Sequence, residues 1–223
     1  MKNKPNKNET MKKLITACTA ALFATALFAA APAALSGNGE GEKVSLKIDT
    51  KQSKIFWTGK KVTGQHNGTL MIKSGFVELE DEVPTKVHIE FDLTTIVCED
   101  LKDPGTNAKF IGHLKSDDFF SVKKYPVGTF TATEFTPISG AEGRDANYTV
   151  KGDLTIKGIT GPVEFEAFIS AKGKMLVSNG DLTFDRTKYD IRYGSGSFFD
   201  GLGDKMIYDD VELTYVISTG LNN

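Results

Sequence analysis

The sequence predicts an all-β, antiparallel fold. After residue 43 nearly the whole chain is built of short runs that alternate apolar with polar residues, and Gly, Asn, Asp or Pro separates one run from the next. Successive side chains of a pleated strand point to opposite faces, so a period of two gives each strand one apolar face. Many such runs divided by turn residues read as antiparallel strands joined by hairpins. A third observation concerns size: the inward candidates include Phe56 or Trp57, Phe76, Phe91, Phe130, Phe135, Phe165, Phe168 and Phe184. A closed sheet of about eight strands can line a tunnel with such residues. A two-sheet sandwich with ordinary core aromatics satisfies the same pattern, so spacing alone leaves barrel and sandwich both open.

Taken in order, residues 1–33 read as a cleavable signal peptide. Lys12 and Lys13 lead into the apolar run Leu14 to Phe28, followed by the small residues Ala29-Ala30-Ala31-Pro32-Ala33, which is the positive, apolar, small order of an export signal. The mature chain is therefore expected in the periplasm or secreted. Ile15-Thr16-Ala17-Cys18 loosely resembles a lipobox, but the apolar stretch ahead of Cys18 falls short of the roughly seven residues such a signal needs. Cys18 is expected to leave with the signal, with a lipid tether at Cys18 as the alternative. Cys98 is then the sole cysteine and an internal disulfide is excluded. Residues 34–42 are Gly-rich and polar and read as a flexible leader, and residues 43–220 as a single domain.

Within that domain the alternating runs are Val44/Leu46/Ile48, Ile55/Trp57, Leu70/Ile72, Val87/Ile89/Phe91/Leu93, Phe130/Ala132, Tyr148/Val150/Leu154/Ile156, Val163/Phe165/Ala167/Ile169, Leu182/Phe184 and Val211/Leu213/Tyr215/Ile217. Residues 103–118 break the pattern. Ala108, Ile111, Leu114 and the Phe119-Phe120 pair beyond lie nearer helical spacing, which predicts one or two short helices covering an opening of the sheet. Residues 189–210 are rich in Gly and aromatics and read as a long structured loop before the last strand.

Loss of residues 1–33 removes five lysines and one glutamate from 27 basic and 29 acidic residues, leaving a net charge of −6. Such a chain has no general attraction to nucleic acid or anionic surfaces, and no second apolar run reaches the length of a membrane span. No nucleophile motif of the G-x-S-x-G type is present, and Ser195 is out of register for one. A Cys98–His dyad has the weaker claim beside a small buried hydrophobe. His66, His88 and His113 are widely spaced, with no zinc-ligand pattern, and Asp200, Asp204, Asp209 and Asp210 do not match a calcium loop. No metal and no cofactor is expected. Apolar surface without catalytic apparatus favours binding over catalysis.

Four motifs carry a resemblance. His113-Leu114-Lys115-Ser116-Asp117-Asp118-Phe119-Phe120 with Tyr125-Pro126 and Phe130, Gly64-x-His66-x-Gly68, Gly152-Asp153-Leu154-Thr155-Ile156-Lys157-Gly158-Ile159-Thr160 with Pro162, and Asp185-Arg186-Thr187 with Tyr193-Gly194 resemble, in order, motifs of the YceI-like family. These are exported bacterial proteins with a lipocalin-like barrel that binds polyisoprenoid chains. The loop 198–204 is longer than the family pattern and is expected to reshape the cavity mouth. The resemblance implies an isoprenoid or other long-chain lipid as ligand, of polyprenyl phosphate or quinone type, held for transport or storage. It places His66, His113, Arg186 and Tyr193 in loops where they can meet a polar head, and Phe110, Phe119, Phe120 and Phe130 where they can meet a tail or fill the core. Two alternatives remain: an enzyme acting on a bound lipid, with His113 and Asp117 or Asp118 as acid and base, and a surface β-domain with a filled core. Edge strands leave a homodimer open.

Overall fold

The computed structural model describes residues 41–220; the signal peptide and all but the end of the leader lie outside them. Nine strands form one antiparallel sheet: β1 (Lys43–Lys47), β2 (Lys54–Lys61), β3 (Gly64–Glu80), β4 (Val83–Cys98), β5 (Val127–Pro137), β6 (Tyr148–Ile156), β7 (Ile159–Lys172), β8 (Met175–Asp185) and β9 (Ile207–Ser218). The order β2-β9-β8-β7-β6-β5-β4-β3 closes on itself, because β3 pairs with β4 on one side and β2 on the other. β1 and β2 share one position, β1 lying on the end of β3 (Leu46 opposite Val77) and β2 on its start (Ile55 opposite Leu70). A turn interrupts them, held by Asp49 Oδ1, which accepts the N–H groups of Lys51 and Gln52. The result is a closed eight-stranded antiparallel barrel, as the family resemblance implies, and not a sandwich. Among the described strands β1 alone has a single neighbour, so closure removes most of the edges a homodimer would use. No helix of the described residues is long and apolar enough to cross a membrane.

Alternation assigns most faces correctly; one open choice is decided and two residues, Phe76 and Phe168, are corrected. Trp57 points inward and Phe56 outward, at 7% and 38% exposure. Phe76 also points outward, packed on the His88 ring with the Lys86 ammonium over its face. The cause is a β-bulge between Ile72 and Ser74, where one extra residue moves the inward face from Leu70 and Ile72 to Val77 and Leu79. Phe168 falls between the buried Ala167 and Ile169 and faces out by simple parity.

The two ends of the barrel differ. At one end β3–β4 and β7–β8 are joined by tight turns, and Glu82 in the first accepts the Gly173 N–H in the second. At the other, the mouth, residues 99–126 and 186–206 make two long connections. The first carries α1 (Pro104–Lys115), where the sequence places a helix. Asp103 starts it by accepting the Thr106 N–H at 2.8 Å, Pro104 pre-sets its first turn, and His113 and Lys115 sit in its last turn, where cations favour the helix dipole. Asn107 ties the helix to the rim by donating to the carbonyls of Cys98 and Leu101. Only Leu114 is buried on α1, consistent with a cover over the opening.

Candidate ligand-binding cavity

The inward Phe130, Phe165, Val211, Leu213 and Tyr215 pack against the core yet are only half-buried, because the side chains do not fill the barrel. Two cavities occupy the space. The upper one, of about 390 Å³, lies under the mouth; the lower one, of about 90 Å³, lies toward the tight-turn end. Ligand pockets typically span ~300–1,000 Å³, so the upper chamber alone is of binding size. A filled core, the alternative expected of a surface β-domain, is not what this barrel has.

The sequence candidates divide between the chambers. His66, Phe110, Phe119, Phe120, Arg186 and Tyr193 all line the upper chamber. Phe110 of α1 lies on the His66 ring at 4.5 Å between centroids. His113 stands outside the lining, meeting Phe119 at 4.9 Å and Tyr193 at 4.6 Å edge-on, so it props two wall aromatics from behind. Phe130 lines the lower chamber instead and stacks on Phe165. The acid/base pair of the enzymatic alternative, His113 and Asp118, meets at 3.0 Å with side chains 36% and 58% exposed, on the outside and away from the cavity.

Arg186 is 3% exposed and does not pair with Asp185 or Asp190. Its guanidinium donates to the carbonyls of Tyr208, Ile191 and Ile207 and to Asp209 Oδ1, so four of its five N–H donors hold the 186–206 connection against β9. Burial lowers its pKa, and Asp209 and Asp185 act against that. Asp185 instead accepts from Thr187 to start a short 3-10 turn.

Residues that motif reasoning passed over complete the mouth. Trp57 lines the upper chamber with its indole N–H on the Val97 carbonyl. Lys60, Lys61 and Lys205 also line it. Lys60 pairs with Glu212, whereas Lys61 and Lys205 have no ion-pair partner among the described residues. The adjacent Lys60-Lys61 at the end of a strand run was the available signal; Lys205 joins them only through the return of β9 beside β2.

Among the described residues one group of donors lies close enough to hold a metal ion: His66, Cys98 and Asp100, their ligand atoms within 4.8 Å of one another. Asp100 accepts from the Asn67 N–H at 2.8 Å, meets His66 Nδ1 at 2.7 Å and accepts from the Cys98 thiol at 3.2 Å, so the carboxylate already satisfies its neighbours. Burial raises the Cys98 thiol pKa, with Asp100 adding to it, which keeps the sulfur a protonated, weak ligand. Burial pushes the Asp100 carboxyl up as well, but the bonds from Asn67, His66 and Cys98 outweigh it and hold the pKa at about 2. A carboxyl depressed in the folded state stabilises above its unfolded pKa, and that stability is lost as pH falls through the folded value. Chemical denaturation followed from pH 7 downward should show a loss of on the order of 1 kcal/mol between about pH 4 and pH 2, discounted for partial exposure. The Asp100→Asn variant should lack that step.

With this geometry in view, comparison with known proteins is direct. A family model described as the YceI-like domain matches residues 46–219. The chain belongs to the YceI-like family. Protein YceI of Escherichia coli O17:K52:H18 is 43% identical over 61 residues, 27% of this chain and 29% of that protein, so the matched stretch spans under a third of the relative's length. Two solved structures extend the likeness in fold over most of the domain. BcnA of Burkholderia cenocepacia superposes with a TM-score of 0.59 at 21% identity, over 78% of this chain and 99% of that one. A polyisoprenoid-binding domain from Saccharophagus degradans, implicated in plant cell wall breakdown, superposes with a TM-score of 0.55 at 15% identity, over 78% and 96%. At such identities the likeness is one of fold.

Proposed function

We propose that this YceI-like protein is exported and binds rather than transforms a lipid, holding an isoprenoid chain of polyprenyl phosphate or quinone type in its barrel for transport or storage. The observation that carries the reading is the upper chamber: about 390 Å³, walled largely by aromatic and aliphatic side chains, with polar groups gathered at the mouth. Supporting it are the name of the Saccharophagus domain and the export signal legible in residues 1–33. Water expels hydrocarbon at about 0.8 kcal/mol per CH₂ buried, so even a short prenyl tail supplies ample driving force. Aromatic faces grip the flat double bonds of such a tail without demanding a single register.

Of the two head-group types, Lys61 and Lys205, which have no ion-pair partner among the described residues, favour the phosphate. Delipidated protein should bind a prenyl phosphate more tightly than the matching prenyl alcohol, with a preference that weakens as salt rises. The double variant Lys61→Glu/Lys205→Glu should lose about tenfold in phosphate affinity, as expected for roughly 1.4 kcal/mol, and keep its affinity for the alcohol. Isothermal titration or quenching of the Trp57 fluorescence reads both. If neither lipid binds, the reading fails; if both bind equally, the phosphate assignment fails.

A further inference from the structure

The two chambers share three wall residues, Phe91, Leu154 and Leu213, which mark the boundary, or septum, between them. Leu154 and Phe91 are 2% and 7% exposed, so they are packed in place. The position of the Phe91 ring has a specific cause. Phe91 on β4 lies directly opposite Gly128 on β5, and its ring occupies the space a side chain there would take: a Cβ on Gly128 would sit 2.1 Å from Cε2 and 2.3 Å from Cζ of Phe91. A glycine within a strand commonly marks such a close approach. The bare Gly128 leaves the ring room to lie against β5 at the junction of the chambers, and a side chain there would push it farther into the lumen.

Behind the septum the lower chamber is walled by apolar side chains, among them Phe130, Phe165 and Tyr215, whose rings meet tilted and edge-on. Ser178 and Tyr215 contribute its polar side-chain groups, and these meet each other at 3.3 Å. Burial pushes the Tyr215 phenol up to about 12, so it stays neutral at any physiological pH. A hydrocarbon entering this space would therefore strand no polar group. At about 90 Å³ the space is too small to be a ligand site by itself; it adjoins the upper chamber at Phe91, Leu154 and Leu213.

We propose that the Phe91–Gly128 pair sets the length of hydrocarbon chain the barrel accepts, with the lower chamber as a reserve subsite for the distal end of a longer chain. The inference rests on the binding reading above and adds the residue that limits it. A shorter tail ends at the septum. A longer one must displace the Phe91 ring, and each further CH₂ then gains burial only after that displacement.

The test uses the delipidated protein and a ladder of all-trans prenyl alcohols: geraniol, farnesol, geranylgeraniol and solanesol. Wild-type affinity should climb along the ladder and level off at one member. Phe91→Ala joins the chambers and should move that plateau to a longer member, with a gain of about tenfold or more for it. Gly128→Ala drives the ring into the lumen and should move the plateau to a shorter member. Phe91→Leu and Phe91→Trp, which keep the core filled, carry the same pair of opposite shifts if either first variant does not fold. A plateau at the same member in all folded variants overturns the proposal while leaving the binding reading intact. A wild type that binds no member of the ladder overturns both.

Discussion

Replacing Arg186 by leucine is expected to cost about 3–5 kcal/mol of folding stability, the usual cost of removing one partner from a buried, hydrogen-bonded charge pair. The guanidinium is 3% exposed and bonds three carbonyls, those of Ile191, Ile207 and Tyr208, as well as Asp209. Leucine would leave those carbonyls without this donor and strand the Asp209 carboxylate, which retains the hydroxyl of Ser197. The damage should concentrate on the 186–206 connection and the start of β9, one side of the cavity mouth. Arg186→Lys keeps the charge but loses the planar fork, so its urea midpoint should fall between wild type and Arg186→Leu. An unfolding free energy for Arg186→Leu within about 0.5 kcal/mol of wild type, the range of ordinary surface changes, would show that the bonds are dispensable.

Gly68→Ala should be nearly as severe, with a loss of about 3 kcal/mol from forced overpacking. A Cβ at Gly68 would lie 1.9 Å from the Val97 carbonyl oxygen and 3.0 Å from Cys98 Cα. These are backbone atoms of the paired strand β4, which cannot rotate away as a side chain would. The strands must separate where Gly68 faces Cys98, beside Asn67 and its bonds to Glu99 and Asp100, so the His66 side of the mouth should loosen too. Gly59→Ala is the control: nothing lies within 4 Å of its added Cβ, and stability should stay within about 0.5 kcal/mol of wild type. Thermal denaturation of the two variants side by side separates close approach from a general intolerance of side chains on strands β2 and β3.

These residues also mark where sequence reading worked and where it stopped. Period-two alternation placed Ile89, Phe91, Leu154, Ala167 and Ile169 inside, because a strand's two faces alternate whatever its partners are. It failed at Phe76, where a bulge in β3 shifts the parity; size was taken as a sign of burial, but an exposed sheet face also rewards an aromatic that can pack on His88 and Lys86. The helix at 104–115 was legible because its break in alternation and its helical spacing are local. The mouth was legible in part. His66, Phe110, Phe119, Phe120, Arg186 and Tyr193 converge on one chamber as their motifs suggest, whereas Phe130 lies below the septum and His113 stands behind the wall. The partner of Arg186, Asp209, is brought to it only by the return of β9. The roles of Lys61, Lys205 and Gly128 depend on strand register, which no single segment encodes.

The central claim is that the barrel carries a prenyl lipid, and the most direct measurement is native mass spectrometry of the protein purified from its own host, followed by organic extraction. The account predicts a mass excess over the polypeptide that disappears on extraction, and an extract containing an isoprenoid of phosphate or quinone type. A protein that emerges at its bare polypeptide mass, and takes up no prenyl lipid when one is added, would contradict it.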